Sequence, residues 1–571
     1  MTYYITTPLY YVNDLPHIGS AYPTIAADFI AGHMIQRGED VCFLTGTDEH
    51  GQKIEKAAAA NNKSPQQHCD YIAEEFKKLW GLLDIQYDKF RRTSAEDHKS
   101  FVAEFWTKVE VNGDIYKANY EGLYCVSCED FKLEKDLDKV GEELHCPVHK
   151  QRVENYAQEN YFFKLSKYEA KLREHIEKNP DFIYPENRRN EVLGWIKEGL
   201  RDFPISRCNI EWGIAVPADT SSLRASHAAL AAGSGEAIPS GQQKIYVWFD
   251  ALLGYISGLG SERHQYWASG GQITHIIGKD ILRFHAVYWP AMLMSAGYAL
   301  PTKVFGHGFL TKDGMKMGKT LGNVIDPVAL VNSFGSDAVR FYFLREIIFG
   351  KDGDFTQDGF VQRLNADLAN NLGNLVNRTL NLINKYYSGL APSMGIASPT
   401  SWPRNDDEAS PRNDSASSSR ATEGSVAIQF ADLSNKLSNL GPSFSQAIDR
   451  LDPHQALELL FFALNDVNQL LSEIAPWKLL KEDASNQLAA ASLALSLDAC
   501  RRAAILLAPL TPSISRKIFE QMGLIASDDK RSRKELLQEI FSLKQLDSQP
   551  DYKIVPELSP VFLRLEMAAV K

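Results

Sequence analysis

Cys125 and Cys128 form a CxxC, and after seventeen further residues Cys146 and His149 form a CxxH. Three thiolates and an imidazole are a common closed set for one structural Zn2+, because two short knuckles let four ligands converge tetrahedrally. A redox CxxC would leave the second knuckle unexplained, and buried free cysteines would explain neither. The expectation is therefore one structural zinc, with no metal chemistry in catalysis.

A second set of residues suits phosphate. Pro16, His17, Ile18, Gly19 and Ser20 lie between a strand-like run and the apolar-periodic run Ile25 to Ile35, at a strand-to-helix turn. With Ser20 as N-cap and Pro23 in the first turn, backbone N–H groups and the helix dipole would face an anion, and His17 could donate to it. Farther along, "TKDGMKMGKTLGN" sets Lys316 and Lys319 in a Gly-rich loop after a strand. A P-loop needs four residues between its first glycine and "GK". Gly314 to Gly318 encloses only three, so that reading fails by one residue. Either motif alone fits a local turn or a solvated basic loop; together they suit a nucleoside triphosphate.

Three aromatic-rich stretches, "PLYYVN", "TGTDEHG" and "YVWFDALLGY", fall where strands of a parallel sheet are predicted to end. Open parallel sheets bind ligands there. Tyr246 and Phe249 read as core. Trp248 and Tyr255 could wall a pocket for an unbranched, polarisable side chain, since thioether sulfur packs well on rings. Asp48 could hold an ammonium.

The elements behind these residues are short β-rich runs at Tyr3 to Thr7, Val41 to Thr45, Lys244 to Ala251, Thr274 to Ile277 and Lys303 to Leu310, each followed by Gly-rich turns and helix-like stretches. That alternation predicts an α/β fold with a parallel sheet, split by the segment between its second and third runs. After about residue 360 the pattern becomes helical, with Leu457, Leu460, Leu464, Val467 and Leu471 at three- and four-residue steps. Two low-complexity stretches, 219–243 and 398–425, read as disordered insertions.

The chain's 571 residues exceed the roughly 250 to 300 at which one core stops growing, so several domains are expected. With 44% apolar and 23% charged residues it has an ordinary soluble composition, and no apolar run approaches the roughly 18 residues of a membrane span. "MTYYITTPLYYVN" has neither signal-peptide nor transit-peptide character, and seven cysteines do not make a disulfide framework, so a cytoplasmic location is expected. A net charge of −11 argues against non-specific nucleic-acid binding but leaves room for a local basic face.

"PHIGS" and "KMGKT" resemble the HIGH and KMSKS signatures of class I aminoacyl-tRNA synthetases. Together with "YVWFDALLGY" and "HIIGKDILRFHAVYWPAML" they make the chain resemble the methionyl-tRNA synthetases in particular. The resemblance implies a Rossmann-like parallel-sheet catalytic domain (1–115 and 244–325) split by a zinc-binding connective insertion (116–243). A linking stem (326–360) and an α-helical bundle anticodon-binding domain (361–571) would follow. It implies ATP binding by His17, Gly19, Ser20, Lys316 and Lys319, with His17 and the two lysines catalytic and Mg2+ accompanying ATP. Ser20 stands where the family has a second histidine, and Gly318 and Thr320 stand where it has serines.

The implied methionine pocket is Leu9, Tyr11, Asp48, Trp248, Ala251, Leu252, Tyr255, Ile281 and His285, with Leu252 where some members have proline. Cys125, Cys128, Cys146 and His149 resemble the single zinc knuckle of one subgroup. Asn374 and Arg378, four apart on one helix face, and Trp477, after Pro476 at a long helix's end, match the anticodon-reading positions. Implied partners are ATP, L-methionine and initiator and elongator tRNA(Met), for a monomer without a C-terminal β-barrel module. The isoleucyl, valyl and leucyl enzymes share the signatures but have longer editing insertions. A synthetase for another amino acid and a non-catalytic zinc-containing RNA-binding protein on the same fold are the alternatives.

Overall fold

The computed structural model describes residues 1–125, 130–132, 134–141, 143–147, 150–208, 210–217, 243–268, 270–317, 323–392 and 416–566. It divides into two structural units. One comprises Met1–Pro16, Cys42–Leu79 and Tyr87–Gly306; the other comprises His17–Val41, Trp80–Gln86 and His307–Lys571. Among the described residues no helix is long and apolar enough to cross a membrane.

The first unit is built on a six-stranded sheet ordered β3-β2-β1-β13-β14-β9. Its strands are β1 (Thr2–Tyr11), β2 (Asp40–Asp48), β3 (Lys89–Arg92), β9 (Ile183–Tyr184), β13 (Gln272–Gly278) and β14 (Lys303–His307). β1 pairs in parallel with β13, β2 with β3, and β14 with β9. β1 and β2 are rich in β-branched and aromatic residues and buried on both faces, as central strands of a covered parallel sheet must be. The chain runs outward from β1 through β2 to β3 on one side and from β13 to β14 on the other, so a topological switch point lies between β1 and β13. The crevice beyond the carboxyl ends of such a pair is where this architecture binds ligands.

Three expectations about the sheet need correction. "YVWFDALLGY" is not a strand: only β12 (Lys244–Ile245) is extended, paired with β11 (Ser206–Arg207), and Val247–Ser257 is a helix. All of its residues from Phe249 to Ile256 are buried, and an element apolar all round has no face for periodicity to reveal. Lys303 to Leu310 is two strands, β14 and then β15 (Leu310–Lys312) in another sheet. The sheet also gains β3, whose "KFRR" sequence carries no strand signal, and β9, two residues contributed from within the expected insertion.

Between β3 and β12 lies an antiparallel sheet ordered β10-β8-β4-β5, of β4 (Ile115–Cys125), β5 (Asp130–Lys132), β8 (Glu154–Phe163) and β10 (Phe203–Pro204), with a hairpin of β6 (Asp138–Val140) and β7 (Glu143–His145). Residues 218–242, most of the first low-complexity stretch, lie outside the described residues.

In the second unit, β15 pairs antiparallel with β16 (Met315–Lys316) and parallel with β17 (Gly353–Phe355); helices follow. Leu457, Leu460, Leu464, Val467 and Leu471 are buried on the helix Pro453–Ile474, the expected apolar stripe. The helix Ile18–Gln36 belongs to this unit and is anchored there by a buried ion cluster: Asp28 Oδ2 accepts from Arg340 Nη2 at 2.5 Å and from Arg533 Nη2 at 2.8 Å. Where it is described, the second low-complexity stretch departs from the expected disorder. Residues 393–415 lie outside the described residues, but Ala416–Asp449 is one helix, because a helix packed at its far end extends readily through Ala, Arg and Glu.

Candidate functional site

His17, rather than Ser20, is the N-cap of the helix Ile18–Gln36. His17 Nδ1 accepts from the Gly19 N–H at 3.0 Å, and the His17 N–H donates back to Ser20 Oγ at 3.2 Å. This is a capping box with an imidazole in the usual hydroxyl or carboxylate role, which a sequence rule based on Ser, Thr, Asp and Asn does not anticipate. Pro23 consequently lies past the first turn, inside the helix. Because Nδ1 accepts, the neutral ring carries its proton on Nε2. A Cβ at Gly19 would sit 2.8 Å from His17 Cε1, so any larger residue there would displace the capping ring. The Gly19 and Ser20 N–H groups are thus engaged with His17, and the anion-facing donors expected of this turn are spent in capping.

Lys316 ends the β15–β16 hairpin, opposite Thr311. The turn is made by Asp313 (φ 53°) and Gly314 (φ 73°), the two left-handed central residues of a tight hairpin. Asp354 Oδ1 fastens it, accepting from the Gly314 N–H at 2.9 Å and from Thr311 Oγ1 at 2.6 Å. Lys319, with Gly318 and Thr320, lies outside the described residues.

In the first unit the predicted pocket residues gather at the switch point. Leu9 and Tyr11 end β1, Asp48 ends β2, Ile281 lies in the turn after β13, and His285 follows in a π-helical turn, Phe284–Tyr288. Trp248, Ala251, Leu252 and Tyr255 lie on the helix Val247–Ser257, which presents Gly254 to Leu9 so closely that a Cβ there would strike Leu9 Cδ1.

Polar contacts bind these walls together. His285 Nδ1 donates to the Ile281 carbonyl at 3.0 Å, so Nε2 is the acceptor for the Tyr255 hydroxyl at 2.8 Å. Burial pulls the His285 imidazole down to about 4, against the Ile281 carbonyl, which favours the charged form. Burial also pushes the Tyr255 phenol far above its ordinary range, helped by Tyr10 and by the charge of Asp48. Both groups are neutral at physiological pH. Behind them the Trp289 indole donates to His275 Nε2 at 3.3 Å, and His275 Nδ1 lies 2.7 Å from Thr6 Oγ1. Trp248 stacks face to face on Phe284, with ring centroids 3.9 Å apart, and meets His285 edge-on. Leu9, Tyr11, Trp248, Ile281 and Phe284 are only half-buried, whereas Tyr255, Leu252 and His285 are sealed. The result is a neutral aromatic cleft floored by polar but uncharged groups, with one carboxylate, Asp48, at the end of β2. Tyr246 and Phe249 are core, as expected.

Sequence reasoning missed Phe284, His275 and a buried cluster around Asp250. His50 Nδ1 and His98 Nε2 each lie 2.6 Å from an Asp250 oxygen. His50 and Asp250 stood inside the quoted stretches "TGTDEHG" and "YVWFDALLGY", but nothing in one dimension pairs residues 200 positions apart.

In the second unit, Asn374 and Arg378 share a face of the helix Asn374–Tyr387. The Arg378 guanidinium lies 4.9 Å over the Trp477 ring. Trp477 does not end the long helix. That helix stops at Ile474, Ala475 turns left-handed (φ 49°), and Pro476 opens a short helix with Trp477 in its first turn. Proline fits the first helical position, where its missing N–H costs nothing. Asn374 is exposed, while Arg378 and Trp477 are half-buried.

Cys125 ends β4 and Cys146 follows β7; both are buried and pack with Val153 in one small cluster. Cys128 and His149 lie outside the described residues. Two buried thiols brought together from separate strands fit the proposed donor set.

Comparison with known proteins shows the family. The family model described as tRNA synthetases class I (M) matches residues 3–156 and 138–380, and the anticodon binding domain of methionyl tRNA ligase matches residues 422–550. The methionine–tRNA ligase of Synechocystis sp. is 43% identical over 576 residues, covering 100% of this chain and 98% of the relative. The chloroplastic/mitochondrial enzyme of Arabidopsis thaliana is 43% identical, covering 99% and 83%. Among solved structures, Mycobacterium tuberculosis methionyl-tRNA synthetase in complex with methionyl-adenylate superposes with a TM-score of 0.82 at 34% identity, over 98% of this chain and 99% of that one. With both halves of the chain matched and relatives aligned end to end, the chain belongs to the methionyl-tRNA synthetase family of class I aminoacyl-tRNA synthetases.

Proposed function

We propose that the cleft at the β1–β13 switch point binds L-methionine, with its ammonium on Asp48 and its side chain among Leu9, Tyr11, Trp248, Ala251, Leu252, Tyr255, Ile281 and His285. The observation that carries this reading is the neutral Tyr255–His285 pair, 2.8 Å apart and buried beneath a rim of half-exposed aromatics. An uncharged floor favours a thioether over a charged side chain of similar length, and rings favour its polarisable sulfur.

The reaction is that of a methionine–tRNA ligase. A carboxylate oxygen of methionine attacks the α-phosphorus of ATP, the bond from that phosphorus to the α,β-bridging oxygen breaks, and pyrophosphate departs with that oxygen, leaving methionyl-adenylate. The terminal ribose hydroxyl of tRNA(Met), initiator or elongator, then attacks the methionyl carbonyl and AMP departs. Catalysis here is mainly positioning and stabilisation of charge on phosphate oxygens, so no covalent enzyme intermediate is needed. We assign the donor at the nucleotide to His17 Nε2, whose proton is fixed there by the Nδ1 cap, with Gly19 and Ser20 contacting ATP beside it while their N–H groups hold the His17 ring and backbone in place. Lys316 and Lys319 stabilise the departing pyrophosphate, and ATP bound as its Mg2+ complex has part of its phosphate charge already offset.

Asn374, Arg378 and Trp477 read the anticodon, the ring and guanidinium offering a stacking platform to unpaired bases. Cys125, Cys128, Cys146 and His149 hold one structural zinc that shapes the insertion. The protein acts in the cytoplasm as a monomer; light scattering reads the second point and metal analysis the zinc, which Cys146→Ala should release.

The deciding experiment is ATP–pyrophosphate exchange without tRNA, run separately with each of the twenty amino acids. Exchange with methionine alone is expected. Strong exchange with a different amino acid overturns the pocket assignment, and none with any amino acid overturns the activity.

A further inference from the structure

The helix that carries Trp248 and Tyr255 also carries Asp250, which is fully buried and has no place in the roles assigned above. His50 Nδ1 donates to its Oδ2 and His98 Nε2 to its Oδ1, each across 2.6 Å. A carboxylate only accepts, so both ring nitrogens carry protons. His98 turns its other nitrogen to the Ser257 hydroxyl, 2.7 Å away at the end of the same helix. Although burial disfavours the Asp250 charge, the two histidines more than offset that, and its carboxyl is lowered to about 2.

The His50 side of this clamp is also held. The Tyr11 hydroxyl donates to the His50 carbonyl at 3.0 Å. The Trp212 indole donates to the Glu49 carbonyl, and the Gly51 N–H donates to the Trp212 carbonyl at 3.1 Å. Asp48 lies two residues before His50, and Trp248 two residues before Asp250. One carboxylate therefore joins the segment bearing the ammonium partner to the helix bearing the aromatic wall.

We infer that Asp250 is a positioning residue for methionine: by holding His50 and His98 at once, it sets the distance between Asp48 and the Trp248–Tyr255 wall, so that the substrate is read by the span from ammonium to thioether. This rests on the pocket reading above. Asp250 touches no substrate; its effect is transmitted through the placement of Asp48.

The test is a difference measurement on the full-length protein. Binding of methionine and of its deamino analogue, 4-(methylthio)butanoate, is measured by tryptophan fluorescence for the wild type and for Asp250→Asn, which keeps the size of the side chain and removes its charge. In the wild type the analogue binds more weakly, because the Asp48 contact is lost. In Asp250→Asn the ratio of the two dissociation constants should shrink by roughly tenfold or more, since small misplacements of a binding group carry penalties of that order. The KM for ATP should stay unchanged. A preserved ratio overturns the inference, even when both ligands weaken together or the variant is less stable, because that is what a purely structural role predicts. Should Asp250→Asn not fold, His98→Asn, too short to reach Asp250, is read by the same criterion. A wild type that does not distinguish the two ligands counts against the pocket reading itself and takes the inference with it.

Discussion

Tyr255 gives its hydroxyl proton to His285 Nε2, while His285 gives its own Nδ1 proton to the Ile281 carbonyl, so a relay of two hydrogen bonds runs in one direction beneath the cleft. Tyr255→Phe removes the donor and leaves a buried ring nitrogen without one. We expect a loss of about 1 to 3 kcal/mol in urea unfolding, together with a raised KM for methionine and an unchanged KM for ATP. Unaltered stability and unaltered methionine KM would contradict the relay.

The same pair makes stability depend on pH. Burial lowers the folded-state value of His285 to about 4, below the roughly 6.5 of an unfolded chain. Between these values the unfolded state takes up the proton and the folded state does not. The contribution is fully present above about pH 6.5 and drains away as pH falls toward 4, by on the order of 3 kcal/mol. His33 and His275, also buried and lowered, add to the trend, so the expected result is a difference: His285→Gln should show a shallower acid limb than the wild type in unfolding titrations.

The donor role proposed for His17 is separable from its observed capping role. His17→Ala should cost about 1 kcal/mol of stability through the lost cap. His17→Asn restores a capping side chain but not the Nε2 donor. Its melting should therefore be close to the wild type while methionine-dependent exchange falls by roughly 100-fold or more, the loss typical of a donor that stabilises transition-state charge. An active His17→Asn enzyme would reduce His17 to a capping residue.

The anticodon role proposed for Trp477 and Arg378 predicts an effect on tRNA charging and none on activation. Trp477→Ala should lower kcat/KM for aminoacylation with tRNA by roughly 10- to 100-fold, the worth of one stacked base, and leave ATP–pyrophosphate exchange unchanged. Trp477→Phe, which keeps a ring, should recover much of the loss. A parallel fall in exchange would show the substitution acting on the fold rather than on the anticodon.

Some of the architecture was legible because it is local. β1, β2 and β13 announce themselves by β-branched and aromatic runs, and the stripe from Leu457 to Leu471 by its helical step. Val247–Ser257 was misread for the opposite reason: buried on nearly every side, it has no polar face to mark its period, and its lead-in "KIYVW" looks extended. The two-residue strand β9 owes its existence to β14, its partner across the sheet.

Legible in the string were the kinds of groups available: a histidine at a strand-to-helix turn, paired lysines in a Gly-rich loop, a CxxC followed by a CxxH, and stretches dense in aromatic residues. Residue type and short spacing are properties of a string, and those chemistries depend on little else. Only the tertiary structure decided that His17 rather than Ser20 caps its helix, that Tyr255 and His285 are neutral, that Arg378 faces Trp477, and that Asp250 holds two histidines. Each of these depends on burial or on a partner distant in the chain. Hydrogen-bond direction and protonation follow from those surroundings, which exist only once the chain has folded.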